Sequence, residues 1–199
     1  MIPFLIWVLL LGGAVTAMAE EPAPWPLEGL VGVSGTFISE TLSTNSDDVL
    51  RSTGVFSSLR PSHYLWDIQT PDRQLLLVTP EGFWQLDFDL DVAIVRDVPE
   101  ASELPLAYLW MSSAQLEAFS EKVAGGELEA INEFDLKVLS PTSLEMRIVD
   151  SLSRVTRFEL TINSIEAPDL KVYEANILTG MDFFDERTQR STALGVTVQ

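Results

Sequence analysis

Apolar and polar residues alternate with a period of two along much of this chain. The clearest stretch is Phe83–Val98, where Trp84, Leu86, Phe88, Leu90, Val92 and Ile94 alternate with Gln85, Asp87, Asp89 and Asp91. That period turns one side chain into a core and the next into water, as in antiparallel sheet. Taken alone, it predicts one long strand. Thr156, Phe158, Leu160 and Ile162 repeat the pattern against Arg157, Glu159 and Thr161. Val33–Thr41, Thr53–Leu59 and Tyr64–Ile68 are shorter runs rich in β-branched and aromatic residues, and Gln74–Val78 runs into the turn sequence Pro80-Glu81-Gly82.

Helix is expected between these strands, over residues 104–134. Ser112 and Gln115 have capping-box spacing, Leu116, Phe119 and Val123 share one helical face, and Gly125-Gly126 ends that helix. Just before it, Leu104–Met111 is apolar nearly all round, and Pro105 suits a first helical turn. The chain has no internal repeat and no low-complexity tract. The sum is one mostly antiparallel β domain with a helical insertion in mid-chain.

The first 19 residues carry no charged side chain and end against Glu20-Glu21. Phe4–Leu11, the Gly12-Gly13 break and Ala17-Met18-Ala19 follow a secretory signal cleaved after Ala19. The alternative is an uncleaved membrane anchor, since such a segment nearly spans a bilayer and no Lys or Arg stands near Met1. Pro3, the two glycines and the small-x-small ending favour cleavage and export. Glu20–Pro26, with three prolines, reads as an extended leader.

Composition removes several function classes. A hydrophobic content of 46% supports a sizeable core rather than disorder. A formal charge of −18 argues against nucleic acid and against anionic lipid headgroups. The absence of Cys excludes disulfides, thiolate chemistry, Cys-ligated metal and a lipidated N-terminal cysteine. His63, the single histidine, would have to serve any zinc site or Ser-His-Asp triad, and no serine stands in a G-x-S-x-G elbow. Asp87-x-Asp89-x-Asp91 resembles the start of a calcium loop, but Val92 and Val98 occupy the Gly and Glu positions that the loop requires. Thirty acidic residues make chance carboxylate pairs common and mark none of them. No enzyme activity, metal or cofactor is expected. The acidic surface reads either as solubility or as steering toward basic partners.

One ordered series of motifs goes further. Phe37, Gly54-x-Phe56, Arg60-Pro61, Tyr64-Leu65-Trp66, Pro71 and Gln74–Val78 precede Glu81-Gly82 and then Trp84, Asp87, Asp89, Leu90 and Val92. No single element is specific, but their order resembles the periplasmic outer-membrane lipoprotein carrier (LolA-type) family. Asp150 with Arg154-Val155-Thr156 looks like that family's D-x-x-G-Q-x-T element, and Gly180-Met181-Asp182 like its P-G-V-D. The resemblance covers most of residues 33–186, closely to Arg96 and loosely beyond. Ser153 and Thr179 replace the family's Gly and Pro, Met111–Pro141 aligns poorly, and the long N-terminal helix is barely present between Pro26 and Val33.

The resemblance implies a mainly β, single-domain, unclosed antiparallel barrel over residues 33–186, with a helical lid over an apolar cavity. Residues 20–32 would be a leader or short helix remnant, and 187–199 a tail or extra strand. It also breaks Phe83–Val98 into a hairpin turning near Asp87–Leu90, with Trp84 and Val92 on opposing strands. The implied function is a monomeric periplasmic chaperone. It would take lipoproteins from an inner-membrane ABC transporter complex by their acyl chains and deliver them to an outer-membrane acceptor. The alternative is a carrier or sensor of other lipids on the same half-barrel. Arg60 takes the place of the family's lid latch; without the resemblance it reads as a surface arginine beginning a strand. Phe37, Phe56, Tyr64, Trp66, Leu76, Val78, Trp84 and Leu86 would wall the cavity, or else form ordinary core. Leu104, Leu106, Leu109 and Trp110 would form the lid, or else an internal core helix. The absence of cysteine separates such a carrier from the family's lipidated acceptor.

Overall fold

The computed structural model describes residues 26–42, 48–98, 107–174 and 180–192. The expected signal sequence, most of the leader and the end of the tail lie outside the described residues. The β-patterned runs form strands β1 (Gly32–Leu42), β2 (Val49–Leu59), β3 (His63–Thr70), β4 (Gln74–Thr79), β5 (Gly82–Asp87), β6 (Val92–Arg96), β7 (Ile131–Ser140), β8 (Ser143–Asp150), β9 (Val155–Ser164), β10 (Asp182–Asp185) and β11 (Arg190–Thr192). They make one sheet in the order β11-β10-β6-β5-β4-β3-β2-β1-β9-β8-β7. Its pairings are antiparallel except for β10 against β6. The end strands β7 and β11 do not meet in that order, so the architecture is an unclosed half-barrel with helical segments over one face.

The sheet curls around one apolar cluster. Neighbouring strands lie about 4.8 Å apart, so β3 and β9, three steps apart, would be about 14 Å apart in a flat sheet. Yet the rings of Trp66 on β3 and Phe158 on β9 have centroids only 6.0 Å apart. Bulges support the bend, one at Ser34/Gly35 in the β1–β9 pairing and one at Thr53/Gly54 in the β2–β3 pairing.

Phe83–Val98 is not one strand. Asp87 ends β5, and its Oδ1 accepts the main-chain N–H groups of Asp89 (3.1 Å) and Leu90 (3.0 Å). A side chain that satisfies the N–H groups two and three residues ahead favours a turn over continued strand. The hairpin implied by the resemblance is therefore the observed one, with Trp84 opposite Val95 and Asp87 opposite Val92.

The helix expected over residues 104–134 is shorter. Helix α1 spans Ser113–Ala124, with the capping box of Ser112 and Gln115 formed in both directions. It stops where the Gly125 N–H bonds to the Glu121 carbonyl at 2.8 Å. Ala107–Trp110 is a separate 3₁₀ turn. Residues 131–134 belong to β7, because Phe134, Leu136 and Val138 alternate with Asp135 and Lys137 and extend as a strand against β8.

Candidate functional site: the covered concave face

The concave face is built on two glycine–aromatic pairs. Gly35 on β1 stands opposite Phe56 on β2, and Gly54 on β2 stands opposite Phe37 on β1. A Cβ on Gly54 would come within 2.7 Å of the Phe37 ring and 2.0 Å of the Asp67 carbonyl oxygen. A Cβ on Gly35 would come within 2.8 Å of the Phe56 ring and 2.0 Å of the Thr161 carbonyl oxygen. Only glycine leaves room for the rings to lie across the strand, an arrangement that shields the backbone with aromatic surface. Phe37 then stacks on Trp66 with centroids 3.5 Å apart, and Phe56 lies 6.1 Å from Trp66.

Around this centre β9 supplies Phe158, Leu160 and Ile162, and β8 supplies Leu144 and Met146, all buried. Tyr64 and Leu76 pack against the cluster from β3 and β4. Val78, buried and directly opposite Tyr64, continues the same face.

Among the described residues, three segments cover this face. The turn at residues 26–29 contributes Leu27, the 3₁₀ turn contributes Tyr108 and Leu109, and α1 contributes Phe119 and Val123, all buried in the same cluster. Tyr108, Phe119 and Phe134 form an aromatic triangle with centroid separations of 4.8, 4.9 and 5.0 Å. Burial pushes the Tyr108 phenol up to about 12. Burial also raises Tyr64 to about 12, although the positive charge of Arg60 pulls it down. Both hydroxyls stay neutral and add no charge to the apolar face. Arg60, just past β2, donates from Nη2 to the Leu27 carbonyl at 3.4 Å, and its main-chain N–H bonds to the Val31 carbonyl at 2.8 Å. It thereby ties the strand end to one of the covering segments.

The expected wall residues do not all come together. Phe37, Phe56, Tyr64, Trp66, Leu76 and Val78 share the concave face. Trp84 and Leu86 are on the other side of the sheet. Trp84 pairs with Leu77 and Val95, and Leu86 pairs with Leu75 and Ala93, in clusters that also hold Leu65, Tyr173, Met181 and Phe183. The physical reason is parity. Val78 faces Phe83 across the β4–β5 hairpin, so the even-numbered residues of β5 point away from the concave side. Of the expected lid residues, Leu109 is buried in the cluster, Trp110 lies in the 3₁₀ turn, and Leu104 and Leu106 lie outside the described residues.

Sequence reasoning missed Leu27 and Phe134 as contributors. Phe134 was legible as one of an alternating set, whereas Leu27 carries no periodic signal. Nor does the site use His63, whose ring lies 5.3 Å from that of Tyr173 in the convex-side cluster. Among the described residues no group of three or more potential metal ligands forms. The carboxylate of Asp87 is engaged by its own turn and by Gln74 Nε2 at 2.9 Å.

Comparison with known proteins matches this arrangement to one family. The model of the outer membrane lipoprotein carrier protein LolA matches residues 28–176. An outer-membrane lipoprotein carrier protein of Bordetella pertussis is 24% identical over 172 residues, covering 79% of this chain and 82% of that protein. One from Vibrio cholerae is 28% identical over 161 residues, covering 79% of this chain and 73% of its own. With its unclosed sheet, its covered concave face and a family match across most of its length, the chain belongs to the LolA family of outer membrane lipoprotein carriers.

Proposed function

We propose that this protein carries lipoproteins through the periplasm by sheltering their acyl chains on the concave face. The observation that carries the reading is a curved aromatic wall against which Leu27, Tyr108, Leu109, Phe119 and Val123 of the covering segments pack in one apolar cluster. Leu27, Tyr108, Leu109 and Phe119 occupy the space that hydrocarbon would take, so loading displaces them. An acyl chain of about fourteen methylenes costs roughly 11 kcal/mol to expose to water, at ~0.8 kcal/mol each. Unaided crossing of an aqueous compartment is therefore prohibitively slow, and a dry, exchangeable surface removes the barrier.

The remaining assignments extend the same proposal. The chain is exported by a signal cleaved after Ala19, loaded by an inner-membrane ABC transporter complex and unloaded onto an outer-membrane acceptor. Arg60 acts as the latch, holding the 26–29 turn over the empty face. The acidic surface, with 30 acidic against 12 basic residues, suits brief docking on basic patches and avoidance of anionic membranes between encounters.

The test is to recover tagged protein from periplasm and identify its cargo by mass spectrometry. Triacylated lipoproteins are expected. Phospholipid or glycolipid alone would sink this reading in favour of a carrier or sensor of other lipids. Arg60→Leu should fold normally and transfer lipoprotein poorly; normal transfer would remove the latch assignment.

A further inference from the structure

We propose that Arg96 contacts the cargo, its guanidinium receiving the ester carbonyl that joins an acyl chain to its glyceryl head. The assignment rests on the carrier reading above and adds to it a contact that reads the junction between hydrocarbon and headgroup.

Four directly opposed residues, Tyr64, Val78, Phe83 and Arg96, run across β3, β4, β5 and β6 as one row of the concave face. Val78 and Phe83 are buried, so the row is an apolar bed that ends on a cation. Among the described strand residues, the register places no other Lys or Arg on this face. The placement is pointed in a chain with 12 basic residues among 30 acidic ones.

The guanidinium is partly engaged. Its Nη2 donates to Gln85 Oε1 at 2.7 Å, and its central carbon lies 5.2 Å from the centroid of the Phe83 ring. These contacts fix the plane of the group. Its Nε is buried and has no hydrogen-bond partner among the described residues. A charged donor removed from water without an acceptor is unfavourable, and the fixed plane leaves that N–H ready for an acceptor from outside the chain.

The chemistry of the cargo supplies the acceptor. A chain lying along Tyr64, Val78 and Phe83 presents, as its first polar atom beyond the hydrocarbon, the carbonyl oxygen of its ester link. That oxygen is neutral and accepts one or two hydrogen bonds. It therefore satisfies a buried N–H without bringing a second charge into the apolar bed.

The experiment compares two synthetic lipopeptides on the full chain, one with ester-linked acyl chains on the glyceryl-cysteine head and one with ether-linked alkyl chains of equal length. A parallel pair of diacyl and dialkyl phosphocholines separates a lipoprotein source of the ester from a phospholipid one. Wild type should bind the ester lipopeptide about tenfold more tightly than the ether form, the factor expected for one hydrogen bond from a charged donor. Arg96→Gln and Arg96→Met should abolish that preference while leaving the ether affinity unchanged, which also shows that the variants fold. Equal binding of both forms by wild type would overturn the assignment, as would a preference that survives in both variants. An ester preference confined to the phosphocholines would overturn it for lipoprotein cargo. Failure of wild type to bind either lipopeptide would instead remove the carrier reading, and this assignment with it.

Discussion

Both faces of the sheet bury aromatic and aliphatic side chains, but their covers differ in kind. Over the concave face lie the 26–29 turn, the 3₁₀ turn at Ala107–Trp110 and α1, which contribute Leu27, Tyr108, Leu109, Phe119 and Val123. Polar ties lie at its periphery, from Arg60 to the Leu27 carbonyl at 3.4 Å and from Ser113 Oγ to Glu28 Oε2 at 2.6 Å. Over the convex face the 3₁₀ turn Leu170–Tyr173 is pinned by a buried 3.0 Å hydrogen bond between the Tyr173 and Ser57 hydroxyls. Beside it, β10 is held by its ladder with β6, and Arg187 donates to the Glu81 carbonyl. Hydrophobic burial is non-directional, so hydrocarbon can replace an apolar cover with little loss. A cover held by a buried hydrogen bond leaves polar groups unpaired when it lifts. On the carrier reading proposed above, the concave face exchanges its cover and the convex face keeps it.

The largest way to break this comparison is to remove the curvature that creates two unlike faces. Gly54→Val sets a side chain against the Asp67 carbonyl and the Phe37 ring, and is expected to cost upwards of about 4 kcal/mol or prevent folding, read by urea unfolding. Next, Trp66→Ala and Trp84→Ala should each destabilise by about 3–5 kcal/mol, because each removes a large packed side chain. Only Trp66→Ala should also weaken acyl-probe binding; an equal loss in Trp84→Ala would undo the separation of the faces. Phe119→Ala should destabilise the empty protein by about 3 kcal/mol while preserving or tightening acyl binding, since it loosens the cover. Tyr173→Phe should cost about 1–2 kcal/mol by leaving the buried Ser57 hydroxyl unpaired, with acyl binding unchanged.

The smallest effect near neutrality is the pH response. Burial raises Tyr64, Tyr108 and Tyr173 from 10.0 to about 12, opposed by Arg60 for Tyr64 and by the Ser57 hydrogen bond for Tyr173. A raised folded value means that the folded state holds the phenolic proton longer. The stability these groups contribute is fully present below pH 10 and is lost as pH rises through about 12. Urea midpoints should fall over that window while phenolate absorbance rises.

Much of this was legible in the chain. Phe158, Leu160 and Ile162 alternate and line one face, and the Ser112–Gln115 box, the Phe119/Val123 stripe and the Gly125 stop all form. The motif Gly54-x-Phe56 also has a local physical cause, because the glycine makes room for Phe37 while the phenylalanine covers Gly35. Phe83–Val98 misled because alternation continues through a turn whose geometry is set by the Asp87 side chain, which leaves no mark on hydrophobic periodicity. Trp84 misled for a related reason. Side-chain spacing gives the parity within one strand but not the parity between strands, which depends on the register of each hairpin.

The sequence by itself determined the β class, the ends of α1 at its capping box and glycine stop, the course of the most regularly alternating strands, and the family. These depend on local periodicity, turn chemistry and motif order. Only the tertiary structure decided which face each strand turns to the concavity, that the 26–29 turn and Phe134 join the cover, and that Arg96 ends the apolar row across four strands. Each of these joins residues far apart in the chain through strand register and sheet curvature, and neither quantity is written in any single segment.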